Sequence, residues 1–347
     1  MPVARTLPRP RIALTGATGF LGRHIVAELV ADHDLVCITR SGSAPEGHQG
    51  LSIDLAAEAD PTPALTQALV GCDAVIHAAG RVSHDPADAG ELWRVHVVAT
   101  ERLIDAARAA GVPRVVALSS SGTTAVSTRP VAMDEDAPSV LQTIARWPYY
   151  RSKWVAEDAA LAGNGPDLAV ICLLPGLLLG PGDDAEGAST RAVRLFLDRG
   201  LPAVPAGGPC IVDVRDVALA VRAALRRGRG GERYLLGGGN LAWSQLYGAL
   251  ARITGRAEPL LTLPGRLTRR AVEVMGGALR AEDGGEGLLP LSPEELELAS
   301  HFWYCSWDKA ARELGFSPRD PIRTLEDTVA DILDQRQRGY QLYRSRA

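Results

Sequence analysis

Apolar residues in the first half of the chain follow two alternating patterns. Short aliphatic runs are followed by longer segments in which apolar residues recur every three or four positions. This alternation predicts repeated strand and helix units, which build a doubly wound parallel sheet of the α/β class. The predicted strands are Ile12–Thr15, Leu35–Thr39, Ala74–His77, Arg114–Ser119 and Ala169–Leu174, and the predicted helices are Phe20–Ala31, Glu91–Ala110 and Tyr149–Ala162.

The pattern becomes less regular after Gly180, where glycine and proline cluster at 180–188, 200–209 and 228–239. We expect residues 1–180 to form one domain, and residues 181–347 mainly a smaller, mixed lobe with some segments returning to the first domain. The basic segment Arg266–Arg280 is interpreted as a lid or a solvated face. Elements predicted in this half are a strand at Arg233–Leu236 and helices at Asp216–Arg227, Ser244–Thr254, Trp307–Leu314 and Leu325–Arg338.

Composition narrows the class of protein. The 347 residues carry a formal net charge of -4, so no domain-wide positive field favours a nucleic-acid partner. Five cysteines without a C-x-x-C pair indicate free thiols in a reducing compartment, and the seven histidines lack metal-ligand spacing. The N-terminal segment has no apolar region typical of a signal peptide, and the longest apolar run, Leu168–Leu179, is too short for a membrane span. We therefore expect a cytoplasmic protein without a metal.

Three glycines lie three residues apart in the segment TGATGFLG, between the first predicted strand and the first predicted helix. Gly16 allows a tight turn, Gly19 lets the main chain approach a pyrophosphate, and Gly22 permits close packing of helix on sheet. The positive end of the helix attracts the anion. This context predicts dinucleotide binding by Gly16, Thr18, Gly19, Phe20, Leu21 and Gly22.

The end of the second predicted strand indicates which dinucleotide binds. An acidic residue there would accept hydrogen bonds from the ribose of NAD, but the chain has Arg40, whose guanidinium suits a 2′-phosphate. NADP(H) is therefore favoured, and NAD(H) stays open as the alternative. By position, Asp54 and Leu55 are expected at the adenine, and Ala78, Ala79 and Gly80 beside the cofactor ribose.

Tyr149 and Lys153 lie four residues apart near the start of a predicted helix, so their side chains share one face. An ammonium beside a phenol is expected to lower the pKa of the phenol and make it a usable proton donor or acceptor. The chain has only two lysines, Lys153 and Lys309, against 35 arginines, which indicates that a lysine is required here. Three serines, Ser119–Ser121, end the predicted strand from Arg114 and bring hydroxyls to the same crevice.

These motifs together resemble the extended short-chain dehydrogenase/reductase superfamily, also called the NAD-dependent epimerase/dehydratase family. The resemblance includes Pro175 and Gly176, which match the family's loop beside the nicotinamide, and it is greatest with the dihydroflavonol reductase and 3β-hydroxysteroid dehydrogenase branch. It implies a Rossmann domain at residues 1–180 and a substrate-binding lobe at 181–347. It also implies a catalytic set of Ser121, Tyr149 and Lys153, with Ser120 as the fallback for the serine.

The chain departs from the family pattern at two positions. His96 replaces an asparagine that supports a water relay, and Leu174 replaces an arginine that often precedes the Pro-Gly loop. The resemblance implies an NADP(H)-dependent oxidoreductase that interconverts a carbonyl and a hydroxyl group on a small, apolar substrate, with Tyr149 transferring the proton. A nucleotide-sugar epimerase with retained NAD and a non-catalytic dinucleotide-binding protein are the alternatives. A homodimer formed through the helices Glu91–Ala110 and Tyr149–Ala162 is a further expectation.

Overall fold

A parallel sheet forms the centre of the first half of the chain. The computed structural model describes residues 9–184, 187–264 and 293–346. The strands are β1 Arg11–Thr15, β2 Asp34–Thr39, β3 Gln49–Ser52, β4 Ala74–His77, β5 Arg114–Leu118, β6 Ala169–Pro175, β7 Leu177–Leu179, β8 Ala203–Pro205, β9 Gly208–Asp213, β10 Arg233–Leu236, β11 Gly239–Asn240, β12 Leu261–Leu263 and β13 Phe302–Trp303. The helices are α1 Phe20–Leu29, α2 Thr62–Leu69, α3 Ala89–Trp93, α4 Ala99–Ala109, α5 Leu141–Ile144, α6 Pro148–Ala162, α7 Ala188–Arg199, α8 Val214–Arg227, α9 Trp243–Thr254, α10 Pro293–Ala299, α11 Asp308–Leu314 and α12 Pro321–Arg346.

The large sheet has seven strands in the order β10-β6-β5-β4-β1-β2-β3, and every neighbouring pair is parallel. Strand β1 lies between β2 and β4, with Leu14 opposite both Cys37 and Ile76. The strand order therefore reverses between β1 and β4. In sheets of this kind ligands bind at the reversal, outside the carboxyl ends of the strands.

Aliphatic side chains cover both faces of the sheet, which is why its central strands are continuously apolar. One face packs against α2, α4 and α6, through residues that include Leu65, Leu103 and Ala160. The other face packs against α1, α8 and α11, through residues that include Ile25 and Val217. Two helical layers thus hold the sheet rigidly and fix the positions of the loops at its edge.

The remaining strands form a smaller structure beside the sheet. Strand β9 pairs with β7 and β13 in parallel and with β11 in antiparallel orientation, while β8 pairs with β12. An apolar cluster from α7, α9 and α12 packs on it, with Phe196, Leu250 and Leu325 fully buried.

The structure confirms the predicted fold class, the five predicted strands and the three helices of the first half. Strand β3 is not predicted from the sequence, because it is a mostly exposed edge strand without an apolar run. The helix predicted at Glu91–Ala110 is interrupted by a π-helical turn, Arg94–Val98, between α3 and α4. The predicted strand Arg233–Leu236 belongs to the edge of the large sheet, where it pairs with β6. The interpretation of Arg266–Arg280 concerns residues outside those described.

Candidate active site

The predicted site residues meet at one edge of the large sheet. The glycine turn follows β1, Arg40 follows β2 and Asp54 lies two residues after β3. The Ala78–Gly80 segment follows β4, and the serines follow β5. Because all these strands are parallel, their carboxyl ends lie side by side and the loops form one crevice.

The three glycines of the turn have different surroundings. A Cβ on Gly16 would lie 2.7 Å from the Ala78 carbonyl carbon, and one on Gly22 would lie 1.9 Å from the Gly16 oxygen. Within the part of the chain that the structure describes, a Cβ on Gly19 would meet only the Gly16 oxygen, at 3.4 Å. Packing of the chain therefore requires Gly16 and Gly22, whereas the main chain at Gly19 is open on its outer side.

The N-terminus of α1 is suited to an anion. Helix α1 begins after Gly19 without a side-chain cap and without an acidic residue in its first turn. Its internal bonding begins with the Arg23 amide, which donates to the Gly19 oxygen at 3.0 Å. The amides of Phe20, Leu21 and Gly22 precede that bond and are available to a ligand. The turn therefore fits the pyrophosphate of a dinucleotide.

Arg40 and Asp54 lie on the exposed side of this crevice. The Arg40 carbonyl accepts a hydrogen bond from Ser52 Oγ at 2.8 Å, which joins the ends of β2 and β3. Within the described residues, the Arg40 guanidinium has no ion pair or hydrogen bond. Asp54 is exposed and accepts the Ala56 amide at 3.0 Å, while the neighbouring Leu55 is buried. This region therefore offers a free cation where the sequence predicts the adenosine end of the cofactor.

Helix α6 carries the tyrosine and lysine of the predicted catalytic set. It begins at Pro148, which suits a first helical turn because proline lacks an amide hydrogen. Lys153 Nζ donates to the Leu118 carbonyl at the end of β5, at 3.0 Å. A Cβ on Gly80 would lie 3.3 Å from the same Nζ atom. Lys153 therefore contacts both the end of β5 and the loop after β4.

The serine that the structure brings to Tyr149 is Ser120, the fallback of the sequence analysis. The Ser120 side chain lies near enough to the Tyr149 phenol to lower its pKa, and the Ser120 oxygen accepts the Gly122 amide at 3.2 Å. Ser121 is buried at the start of a short 3₁₀ turn, Ser121–Thr123, and its carbonyl accepts the Ala125 amide at 2.7 Å. The interaction with the phenol therefore favours Ser120 over Ser121 as its partner.

One electrostatic expectation needs correction. The sequence predicts that Lys153 lowers the pKa of Tyr149. Burial instead raises the pKa of Tyr149 to about 12, and the Ser120 side chain opposes this rise. Burial also lowers the pKa of Lys153 to about 8, against an opposing effect of the Glu157 carboxylate. The phenol therefore holds its proton at neutral pH.

A buried carboxylate that sequence reasoning missed lies behind Lys153. Glu157 accepts hydrogen bonds from Ser119 Oγ at 2.5 Å and from Thr123 Oγ1 at 2.7 Å, and it pairs with Arg233 at 3.3 Å. Burial raises its pKa. The spacing of Lys153 and Glu157, four residues apart, is the sequence signal that could have identified it. Glu157 links α6 to the serine loop and to β10.

Pro175 and Gly176 lie at the end of β6. Pro175 is the last residue of β6, and the Gly176 amide donates to the Leu236 carbonyl of β10 at 2.9 Å. A Cβ on Gly176 would lie 2.4 Å from the Cys210 oxygen. Glycine is therefore required here by the close approach of β9, whatever its role toward a cofactor.

Aromatic side chains line the crevice beyond Tyr149. The His84 and Tyr149 rings meet edge to face at 6.0 Å, and Tyr150 stacks on Trp303 at 4.5 Å. Both Tyr150 and Trp303 belong to the same aromatic cluster as Trp147. A cleft there is lined by His84, Pro86, Arg146, Trp147, Pro148, Tyr149, Glu294 and Leu298. A ligand that reaches Tyr149 from this side therefore meets mainly aromatic and apolar groups.

Comparison with known proteins identifies the class. The profile of the NAD dependent epimerase/dehydratase family matches residues 12–237, and the chain belongs to this family. It is 29% identical over 321 residues to a Synechocystis relative provisionally named dihydroflavonol 4-reductase, covering 91% of this chain and 92% of that protein. It is 32% identical over 319 residues to sterol demethylase protein B of Methylococcus capsulatus, covering 91% and 96%.

The fold comparison agrees with the family. A solved nucleoside-diphosphate-sugar epimerase from Pseudomonas aeruginosa superimposes with a TM-score of 0.74 at 25% identity, covering 94% of this chain and 99% of that one. With the reductases among its relatives, the chain is an NAD(P)-dependent oxidoreductase of the extended short-chain dehydrogenase type. Among the described helices, none is both long and apolar enough to cross a bilayer.

Proposed function

We propose that the protein is an NADP(H)-dependent reductase of a small, apolar carbonyl compound, with Tyr149 as the proton donor. The observation that carries this proposal is the meeting of Tyr149, Ser120 and Lys153 at the edge of the sheet, beside the open glycine turn. The exposed Arg40 supports NADP(H) over NAD(H), because a free guanidinium there can pair with a 2′-phosphate. The aromatic walls of the cleft support an apolar substrate.

The chain's residues divide the chemistry among them. A bound nicotinamide dinucleotide supplies the hydride. Tyr149 donates its phenolic proton to the carbonyl oxygen, and Ser120 holds that oxygen by a hydrogen bond as charge develops on it. The Lys153 ammonium stabilises the phenolate that remains and binds the ribose hydroxyls. Gly19 and the first amides of α1 hold the pyrophosphate.

Two adjacent tyrosines provide a matched test. Tyr149→Phe removes the proposed proton donor and should lower kcat about 10²-fold to 10⁴-fold, while NADPH still binds. Tyr150→Phe keeps the stacking on Trp303 and should leave kcat close to that of the wild type. The assay follows NADPH consumption with a panel of apolar aldehydes and ketones, and NADPH binding is measured separately by fluorescence.

The outcomes separate the proposal from its alternatives. Equal activities of the Y149F variant and the wild type would refute the assignment of Tyr149. Purified protein that retains NAD, and acts on a nucleotide sugar without added cofactor, would favour an epimerase. A wild type that binds NADPH but consumes none with any member of the panel would favour a dinucleotide-binding protein without this catalysis.

A further inference from the structure

His96 stands in the π-helical turn between α3 and α4, and its ring is almost fully buried, with 2% exposure. Its Nε2 accepts a hydrogen bond from the Arg81 amide at 3.2 Å. An imidazole nitrogen that accepts from an amide carries no proton, so the proton of the neutral ring is on Nδ1. That Nδ1 lies 2.8 Å from Ser152 Oγ and donates to it. The His96 ring therefore accepts one hydrogen bond through Nε2 and donates one through Nδ1.

The same hydrogen bonds continue into the catalytic helix. Ser152 Oγ donates its own proton to the Tyr149 carbonyl at 2.9 Å. The chain of bonds thus runs from the Arg81 amide, after β4, through His96 and Ser152 to the main chain of Tyr149. The loop beside the predicted cofactor ribose and the first turn of α6 are joined by a single buried ring.

The His96 ring also limits the space around the catalytic pair. It meets the Tyr149 ring edge to face, with 5.6 Å between centroids and 77° between planes. A Cβ on Gly80 would lie 3.5 Å from His96 Nε2 and 3.3 Å from Lys153 Nζ, so the ring and the ammonium border the same point of the loop. A change in the orientation of His96 would therefore disturb both catalytic positions.

A second buried histidine, His77, has the opposite tautomer, because its hydrogen-bond partners differ from those of His96. Thr100 Oγ1 donates to the His96 carbonyl at 2.6 Å, so it can only accept from His77 Nε2, which lies 3.2 Å away. His77 Nδ1 then accepts from Thr15 Oγ1 at 2.8 Å. The His77 ring is consequently protonated on Nε2, whereas the His96 ring is protonated on Nδ1.

His96 is unsuited to proton transfer itself. Burial, assisted by the charge of Lys153, lowers the pKa of His96 to about 2, and burial lowers the pKa of His77 to about 3. Both rings are therefore neutral in the range in which free histidine titrates. A proton added at His96 Nε2 would point at the Arg81 amide, which is itself a donor.

We propose that His96, fixed with its proton on Nδ1, is a positioning residue that holds the Tyr149 turn of α6 against the loop after β4. This inference rests on the proposed function, because positioning matters only if Tyr149 transfers a proton. It assigns a role to the histidine that replaces the asparagine of the resembling family. In this role the ring orients Tyr149 and contacts no substrate.

The tautomer can be tested without turnover. In two-dimensional ¹H–¹⁵N spectra that detect ring nitrogens, the His96 ring should show a protonated Nδ1 and an unprotonated Nε2. This signature should stay constant between about pH 5 and pH 8 and vanish in His96→Phe. The His77 ring should show the opposite tautomer in the same spectra. Protonation of His96 on Nε2, or titration within this range, would overturn the inference even if the enzyme proves active.

The kinetic test separates positioning from folding. His96→Phe keeps a ring but loses both hydrogen bonds, and it should lower kcat about 10-fold to 100-fold with little change in the KM for NADPH. His96→Asn can still donate toward Ser152 and should recover part of that loss. Combining His96→Phe with Ser152→Ala should cost no more than the larger single effect, because both break one chain of bonds.

The buried His33, which hydrogen-bonds to Asp32 at the end of α1, provides the control. His33→Asn should retain the wild-type kcat. If His96→Phe also retains it, or loses no more activity than the control, His96 has no positioning role. If the wild type shows the expected His96 tautomer but has no turnover, the proposed function is wrong and the tautomer assignment stands.

Discussion

Two glycines of the turn are predicted to have different roles: Gly19 in binding a dinucleotide and Gly22 in packing helix α1. Substituting each by alanine tests this difference. Among the residues that the structure describes, a methyl group added in Gly19→Ala has one neighbour within 4 Å, the Gly16 oxygen at 3.4 Å. The backbone angles of Gly19, φ -73 and ψ 170, are accessible to alanine. Gly22→Ala places the same methyl group 1.9 Å from the Gly16 oxygen and 2.9 Å from the Ala17 Cα. Both contacts are with backbone atoms, so no side chain can rotate away.

These distances set the expected free energies of unfolding. For G19A, the reduced freedom of the unfolded chain stabilises by about 0.4 to 1 kcal/mol, and alanine as a poorer N-cap costs about as much. Its stability should therefore stay within about 1 kcal/mol of the wild type. For G22A, helix α1 must move away from the turn, and a loss of about 3 kcal/mol or more is expected. Such a loss is a large part of a typical domain stability of about 5 to 15 kcal/mol.

For G19A, the effect on dinucleotide affinity should be large although the effect on stability is small. A methyl group on residue 19 separates the main chain from the pyrophosphate and weakens a charge-assisted hydrogen bond worth about 1.5 to 3 kcal/mol. The Kd for NADPH should therefore rise about 10-fold to 100-fold in G19A. Urea unfolding followed by tryptophan fluorescence measures stability, and titration with NADPH measures affinity.

Two results would refute this reasoning. A G19A variant that binds NADPH as tightly as the wild type would show that no pyrophosphate approaches Gly19. A G22A variant with wild-type stability would show that α1 does not pack on the turn as the structure describes. Equal destabilisation by both substitutions would mean that Gly19, too, is a packing residue.

Three further predictions concern the cofactor, the serine and the lysine. Arg40→Ser should weaken NADPH binding about 10-fold to 100-fold and leave NADH binding unchanged, and equal losses for both would contradict a role at the 2′-phosphate. Ser120→Ala should lower kcat about 10²-fold to 10³-fold while Ser121→Ala stays near the wild type, and the reverse result would return the role to Ser121. Glu157→Gln removes the carboxylate that opposes the burial of Lys153, so the pKa of Lys153 should fall below about 8. If activity needs the ammonium, the decline of kcat at high pH should begin at a lower pH in this variant than in the wild type. An unshifted pH profile of kcat would count against this coupling.

The sequence predicts the parts of the site that depend on local pattern. The glycine turn, Arg40 and the pair Tyr149 and Lys153 each occupy a position that strand and helix periodicity identifies. The choice between Ser120 and Ser121 depends on how the chain leaves β5, a difference of one residue that no periodicity determines. For the same reason, the sequence analysis kept both serines, with Ser121 first and Ser120 as the fallback.

Contacts between distant segments explain what the sequence analysis did not find. Glu157 is recognisable as a neighbour of the candidate site only after β10 brings Arg233 to it from 76 positions away. His96 was noticed as a departure from a family pattern, yet its partners Arg81 and Ser152 lie 15 and 56 positions away. Hydrogen bonds of this range follow from tertiary packing, which a single sequence does not reveal.

Burial shifts the pKa values of the tyrosine and the lysine at the edge of the sheet in opposite directions. Burial raises the pKa of Tyr149 to about 12 and lowers that of Lys153 to about 8, so near neutral pH the phenol holds its proton and the ammonium its charge. A protonated phenol is the state that donates to a carbonyl oxygen, whereas alcohol oxidation needs a phenolate, which burial disfavours. The neutral His77 and His96 rings add hydrogen bonds without adding charge that would oppose the ammonium. This protonation state is the one that the proposed proton donation from Tyr149 to a carbonyl oxygen requires.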